Sequence, residues 1–272
     1  MNKIRCFYRA LFSIILIIAL TACQQKPEAA NTLKVGVIAG PDEQVLEVAK
    51  KVAQQQYGLD LKIISFSDYT IPNAALNDGS IDANIFQHQP YLDAAIKANK
   101  YNLVAIGKTF IFPVGIYSKK YKNINQVPDN AVVAVPNDPS NETRALLLLA
   151  KAGLLTLKSN INADTNATIM DIATNPKHLK IKELDAAQLP RVLPDVALAV
   201  INTNYAIPAG LNPAKDAIFS ESPDSPYANI IVVRAADKNE PKLLTLVKIM
   251  HSQAIVDAAK KIYAGQEVPA WQ

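Results

Sequence analysis

An order of secondary-structure signals that occurs twice along the chain is the strongest constraint on its fold. Short apolar runs typical of buried strands alternate with helical periodicity from residue 33 onward, which predicts α/β layers around mostly parallel sheets. The first copy has a strand, a turn, a helix and two further strands, over residues 33–38, 40–42, 45–58, 61–65 and 81–86.

The second copy starts with the same three signals, over residues 131–135, 137–139 and 145–152. Each copy continues with a proline-marked helix and an aspartate that opens a buried strand. These paired residues are Pro72 with Asp82 and Pro190 with Asp195. Any α/β protein repeats strand–helix units, but the matched order of four elements favours two similar lobes. A cleft between such lobes is a frequent ligand site.

Two apolar runs predict how the chain passes between the lobes. Residues 110–118 lie between the two copies and predict the first crossover strand, and residues 227–234 follow a proline-rich turn and predict the return. The helical periodicity of residues 241–264 is expected to pack back on the first lobe. The predicted division is residues 33–112 plus 227–272 for lobe 1 and residues 113–226 for lobe 2.

The first residues have the parts of an export signal. A basic start is followed by an apolar run over residues 11–20 and by the segment Leu20-Thr21-Ala22-Cys23. This segment resembles the lipobox of bacterial lipoproteins, which implies a signal peptide over residues 1–22 and a lipid anchor on Cys23. The alternatives are an unmodified signal peptide or a transmembrane anchor, although the apolar run is roughly half of the ~20 residues that a spanning helix needs.

Removal of the signal changes the charge and the cysteine content of the chain. Most of the formal net charge of +4 lies on Lys3, Arg5 and Arg9, so the mature chain lacks the basic surface that nucleic-acid binding requires. Cys6 and Cys23 are the two cysteines, and neither leaves a thiol for a disulfide in the mature fold. Polar residues 23–32 predict a tether, so the protein is expected on a membrane of the cell envelope, facing the periplasm.

Signatures of enzymes and metal sites are missing from the sequence. No nucleophile elbow, phosphate loop, dinucleotide fingerprint or zinc-protease motif occurs. His88, His178 and His251 are not at metal-ligand spacing, and the last two are expected at the surface. No cofactor or metal is predicted. If the protein were an enzyme acting on amino acids, His88 would be its only plausible base, without an evident partner.

Arg144 is the most informative charged residue. Asp138 and Pro139 predict an N-cap and a first helical position, so Arg144 falls near the second turn, where the positive end of the helix dipole disfavours a cation. An apolar run follows it, so the guanidinium needs an anion. That anion is either a ligand carboxylate, which fits a planar guanidinium, or a nearby acid such as Glu142 or Asp138.

Further candidates follow the predicted strand ends, where a cleft opens. Four aromatic side chains suit the wall of an apolar pocket, although core packing is the alternative. They are Tyr69, Phe86, His88 and Tyr91. Asn202 ends the corresponding strand of the second lobe, and Asn229 begins the return strand. Their amides could hold an ammonium or a carboxylate, or they could simply be turn formers.

Five segments resemble, in order, the methionine-binding lipoproteins of ABC importers. They are LKVGV at 33–37, IDANIFQHQPYL at 81–92, VPNDPSN at 135–141, RALLLL at 144–149 and SPYAN at 225–229. The resemblance implies a two-lobed periplasmic-binding-protein fold, type II-like, with two crossover segments. It also implies delivery of methionine to a membrane permease and its ATPase, and no enzymatic activity.

The same resemblance implies roles for eight residues. Arg144 would bind the ligand carboxylate, and three asparagines would hydrogen-bond the amino-acid head group. These are Asn141, Asn202 and Asn229. The four aromatic candidates would surround the thioether. No motif separates L-methionine from D-methionine, a short methionine peptide or another apolar amino acid. An envelope lipoprotein with a vestigial pocket is a further alternative.

Overall fold

The computed structural model describes residues 31–271, so the predicted signal peptide, the lipid on Cys23 and most of the tether lie outside the described residues. Its strands are β1 (Thr32–Ile38), β2 (Asp60–Phe66), β3 (Ala83–Asn84), β4 (Leu103–Ile111), β5 (Gly115–Tyr117), β6 (Val132–Pro136), β7 (Thr156–Leu157), β8 (Ile172–Thr174), β9 (Lys180–Leu184), β10 (Leu198–Ile201), β11 (Ala217–Ser220), β12 (Ala228–Arg234) and β13 (Val268–Pro269).

The α-helices are α1 (Pro41–Tyr57), α2 (Pro72–Asn77), α3 (Gln89–Asn99), α4 (Pro139–Lys151), α5 (Leu189–Val192), α6 (Thr203–Ala206), α7 (Pro213–Asp216), α8 (Pro241–Met250) and α9 (Gln253–Ile262). Short 3₁₀ helices cover Ile124–Gln126, Ile169–Asp171, Ala186–Gln188, Ile207–Ala209 and Ala235–Asp237. Among the described residues, no helix combines the length and the apolar character needed to cross a membrane.

Two sheets organise these elements, which confirms the predicted α/β class. Sheet 1 has the strand order β13-β4-β12-β3-β1-β2, and sheet 2 has the order β11-β5-β10-β6-β9. Strands β1 and β3 pair in parallel, as do β6 and β10. The sheets are nevertheless mixed rather than mostly parallel. Strands β4, β5 and β12, next to the two connections between the sheets, pair antiparallel with their neighbours.

Two predicted strands differ from those observed. The run 110–118 is not one strand, because β4 ends at Ile111 in sheet 1 and β5 begins at Gly115 in sheet 2. The run 81–86 contributes only β3. There the Asp82 carboxylate accepts the Lys34 backbone N–H at 2.8 Å, and beyond Asn84 the chain leaves the ladder and turns into the N-cap of α3 at His88.

Helices cover both faces of each sheet, so the central strands, such as β1, β10 and β12, are buried on both sides, whereas the edge strands β2 and β9 are largely exposed. In β12, Ile231 and Val233 pack in a cluster with α1, α8 and α9, whereas Ile230 and Val232 pack with α2 and α3. The C-terminal helices α8 and α9 therefore pack on the first sheet. In sheet 2, α4 covers one face and α5 covers the other.

Local sequence signals start the helices that lead to the strand-end loops. Helix α1 begins after Gly40, whose φ of 116° favours glycine, and has Pro41 as its first residue. Helix α4 has the predicted cap: the Asp138 side chain accepts the Asn141 backbone N–H at 3.0 Å, and Pro139 is the first helical residue. Arg144 therefore lies in the second turn of α4.

Candidate functional site

A cavity that is partly open to solvent lies where loops from the two sheets meet. We call it the central cavity. Most of its walls come from the carboxyl ends of strands β2, β3 and β10 and from helix α4 after β6, the location at which α/β sheets usually bind ligands. Its lining residues are Tyr69, Phe86, Gln87, His88, Tyr91, Phe112, Asn141, Arg144, Asn202, Thr203, Asn204 and Asn229.

All eight candidate residues from the sequence line this one cavity. Aromatic rings form one wall: the centroids of Tyr69, Phe86 and Tyr91 are 5.6 to 5.9 Å apart. The Tyr91 hydroxyl donates to the Tyr69 carbonyl oxygen at 2.8 Å, which fixes helix α3 against the loop after β2. Burial raises the pKa of both tyrosines, so their hydroxyls are neutral donors. The wall is apolar, with polar groups only at its edges.

His88 joins the aromatic wall to the polar side of the cavity. Its Nδ1 accepts the Tyr91 backbone N–H at 3.3 Å, and its Nε2 lies 3.4 Å from Asn141 Oδ1. Burial, together with the nearby positive charge of Arg144, lowers the pKa of His88 to about 3. The imidazole is therefore neutral at physiological pH, and its contacts assign the proton to Nε2. A ring held in this way is a weak base.

Arg144 is 5% exposed and is held by contacts from both connections between the sheets. Its Nε donates to Glu221 Oε1 at 3.0 Å, Nη2 also contacts Glu221 Oε2, and Nη2 donates to the Phe112 carbonyl at 3.0 Å. The guanidinium carbon lies 4.5 Å from the ring centroid of Tyr227, a cation–π contact. The expected protein partners, Glu142 and Asp138, are not the ones used. No hydrogen bond to another described residue involves Nη1.

The asparagines form a connected polar group at the opposite side of the cavity. Asn141 Nδ2 donates to both carboxylate oxygens of Asp138 at 3.0 Å, and Asn141 Oδ1 accepts from Asn202 Nδ2 at 2.9 Å. Within the described part of the chain, Asn202 Oδ1 and Asn204 Nδ2 are buried without a hydrogen-bond partner. The cavity wall therefore offers one free acceptor and one free donor, and unpaired buried polar groups are costly unless a ligand or water pairs them.

Four lining residues were missed by the sequence argument: Gln87, Phe112, Thr203 and Asn204. Thr203 and Asn204 directly follow Asn202 after β10, so their position at a strand end was a signal that could have identified them. Gln87 belongs to a buried amide network with Asn73 and Asn84. Phe112 lies in the break between β4 and β5, which appeared in the sequence as one continuous apolar run.

The two histidines outside the cavity, His178 and His251, lie in different surroundings. His178 is exposed, as predicted. His251 is only half-exposed, because its ring stacks on Trp271 at 4.4 Å and its Nε2 lies 2.8 Å from the Lys108 carbonyl. Within residues 31–271, no group of three or more potential metal ligands is found.

Comparisons with known proteins agree on one family. Residues 33–271 match the family described as NlpA lipoprotein. The D-methionine-binding lipoprotein MetQ of Salmonella typhi is 49% identical over 266 residues, which cover 97% of each chain. A nutrient binding protein from Burkholderia cenocepacia, solved with bound methionine, is 55% identical with a TM-score of 0.86, over 88% of this chain and 99% of that chain. The crystal structure of the methionine binding protein MetQ has 50% identity and a TM-score of 0.87, over 89% and 99%.

Proposed function

Since the chain belongs to the NlpA lipoprotein family, we propose that it captures methionine, as the L- or the D-form, and delivers it to an ABC importer. The family consists of substrate-binding lipoproteins and not of enzymes, so both the resemblance and the non-enzymatic function expected from the sequence are confirmed. The observation that carries the proposal is the convergence of all eight candidate residues on the central cavity.

The polar side of the cavity suits an amino-acid head group. Arg144 is the cationic side chain in its lining, and the N–H groups of Nη1 are available for a carboxylate. The unpaired Asn202 Oδ1 suits an ammonium group, and Asn141 holds the Asn202 amide in place. Asn229 completes this side: its backbone bridges to His88, and its side chain lines the cavity.

The aromatic side of the cavity suits a thioether. Tyr69, Phe86 and Tyr91 present ring faces and edges, and sulfur–aromatic contacts contribute about 0.3–1.5 kcal/mol each. Burial of a side chain of this size adds about 1.5–3 kcal/mol. Neutral His88 closes this wall without a charge that would need compensation. The two sides of the cavity thus match the two ends of methionine.

We also propose how the protein uses this site. Residues 33–112 plus 227–272 and residues 113–226 form two lobes that close over the ligand by a hinge motion at residues 112–114 and 221–227. A lipid on Cys23 and the tether over residues 23–32 hold the protein at a membrane facing the periplasm. The closed form is the one that the permease with its ATPase recognises.

Methionine is expected to stabilise the purified protein, because a ligand that binds only the folded state adds stability by mass action. At a free methionine concentration of about 100 times the Kd, the free energy of unfolding is expected to rise by roughly 2.7 kcal/mol. Thermal denaturation with L-methionine, D-methionine, a methionine dipeptide and leucine, combined with native mass spectrometry of the untreated protein, measures this. Stabilisation by leucine or a dipeptide alone would reassign the ligand, and no stabilisation by any amino acid would favour a vestigial pocket.

Removing the Tyr69 hydroxyl is expected to weaken methionine binding by about two- to tenfold, the equivalent of one neutral hydrogen bond. This hydroxyl donates to Asn204 Oδ1 at 2.7 Å and so joins the two sides of the cavity. Calorimetric titration of Tyr69→Phe measures the change. The control is Tyr205→Phe, since the Tyr205 hydroxyl lies 3.5 Å from the Ser67 carbonyl and its ring does not line the cavity. If the two variants raised the methionine Kd equally, the hydrogen bond from Tyr69 to Asn204 would have no specific role in binding.

A further inference from the structure

Glu221 lies behind Arg144, outside the lining of the central cavity. Its carboxylate contacts Arg144 through both oxygens, and Oε2 also accepts the Val114 backbone N–H at 3.2 Å. The Glu221 backbone N–H donates to the Val114 carbonyl at 2.9 Å. With a side chain that is 12% exposed, the acid is nearly as buried as its partner. Glu221 therefore belongs to the hinge segments and reaches the ligand only through Arg144.

The pairing decides the net charge that a ligand meets. The titratable residues of the lining are Tyr69, His88, Tyr91 and Arg144. The tyrosines and the histidine are neutral, so Arg144 contributes the one charge of the lining, and Glu221 offsets it. Another acid that contacts the lining is Asp138, the N-cap of α4, whose carboxylate is satisfied by Ser140, by Asn141 and by the positive end of the helix.

We propose that Glu221 is a specificity-determining residue: by neutralising Arg144 it makes the central cavity select amino acids with no net charge over analogues that keep only the carboxylate. This inference rests on the proposed function. A bound zwitterion places its carboxylate on the free edge of Arg144 and its ammonium near Asn202 Oδ1, so the buried charges balance. A ligand with the carboxylate alone places two anions on one guanidinium, and Asn202 Oδ1 stays unpaired.

The test uses 4-(methylthio)butanoate, which is methionine without its amino group. Its Kd and that of L-methionine are measured by calorimetry for the wild type, Glu221→Gln and Glu221→Asp. In Glu221→Gln the guanidinium is no longer neutralised, so the anionic probe should bind relatively better. The ratio of the Kd of 4-(methylthio)butanoate to the Kd of L-methionine is therefore expected to fall by about tenfold or more. Glu221→Asp keeps the charge, so its ratio stays near that of the wild type even if both affinities change.

The outcomes separate this inference from the proposed function. A wild type that binds no methionine refutes the proposed function. Methionine binding with the same ratio in Glu221→Gln as in the wild type shows that Glu221 only supports the fold, and refutes the inference. If Glu221→Gln does not fold, the wild type still decides: it must bind the anionic probe at least about 100-fold more weakly than methionine, and a smaller difference overturns the proposal.

Discussion

Arg144→Ala is expected to weaken methionine binding by about 100-fold or more. The substitution removes the cation of the cavity lining and the Nη1 donors that we assign to the ligand carboxylate. Each charge-assisted hydrogen bond contributes about 1.5–3 kcal/mol, and about 1.4 kcal/mol is a factor of ten in affinity, so loss of two such bonds gives this magnitude. Calorimetric titration of the purified variant measures it.

The same substitution also leaves Glu221 buried without its partner. Removal of one member of a buried ion pair costs about 3–5 kcal/mol of stability, so Arg144→Ala alone confounds folding with binding. The double variant Arg144→Ala with Glu221→Gln removes both charges. We expect it to recover part of the stability measured by urea denaturation while methionine binding stays lost. Recovery of the affinity together with the stability would show that Arg144 does not contact the ligand.

Arg234 provides a matched control for these variants. It also pairs with carboxylates, those of Asp82 and Asp237, and donates to backbone carbonyls at 2.7 and 2.9 Å, but it does not line the central cavity. Arg234→Ala should therefore lower stability and leave the methionine Kd within about twofold of the wild type. A large loss of affinity in this variant would mean that any damage to an arginine network disturbs binding.

Much of the fold follows from periodicity along the chain. The helix over Pro41–Tyr57 is bounded by glycines, and α4 starts at an aspartate–proline pair, so both were predictable from local chemistry. The break between β4 and β5, after Ile111, was not predictable in this way. Pro113 interrupts the apolar run, but a proline is also tolerated in an edge strand, so only long-range pairing assigns the two halves to different sheets. The antiparallel strands that make both sheets mixed depend on the same long-range pairing.

The candidate site was predictable to the extent that its residues follow strand ends. Tyr69, Phe86 and Asn202 lie at such ends, and the structure brings them to one cavity. The partner of Arg144 was not predictable, because Glu221 is 77 residues away and the candidates named from the sequence were close neighbours of Arg144. The protonation of His88 also depends on burial and on the charge of Arg144, neither of which is visible in a motif.

A partly buried acid near the first connection predicts an unusual pH dependence of stability. Asp42, in the first turn of α1, accepts a hydrogen bond from the Tyr263 hydroxyl, and the Tyr263 ring stacks on Phe112 with centroids 4.1 Å apart. Burial raises the pKa of Asp42 from 3.8 to about 7, although the bond from Tyr263 acts in the opposite direction. The folded state therefore holds the Asp42 proton more tightly than the unfolded chain does.

The sign of the linkage follows from this difference. Between about pH 4 and pH 7 the unfolded state has lost the Asp42 proton while the folded state keeps it, so the free energy of unfolding falls as the pH rises. The raised pKa of Asp42 corresponds to a loss of roughly 2–4 kcal/mol in the free energy of unfolding by about pH 8. Glu142, whose pKa is raised to about 8 by burial and by Glu183, contributes in the same direction. A comparison of variants is therefore needed to isolate Asp42.

Asp42→Asn is expected to be more stable than the wild type at about pH 8 and to differ little from it at about pH 5, because the amide cannot ionise and can still accept the Tyr263 hydrogen bond. Urea denaturation at the two pH values measures the free energies of unfolding. The control is Asp257→Asn, an exposed aspartate on α9, which should leave the pH dependence of the wild type unchanged. If Asp42→Asn lost as much stability between the two pH values as the wild type, Asp42 would not be the acid that stays protonated in the folded state.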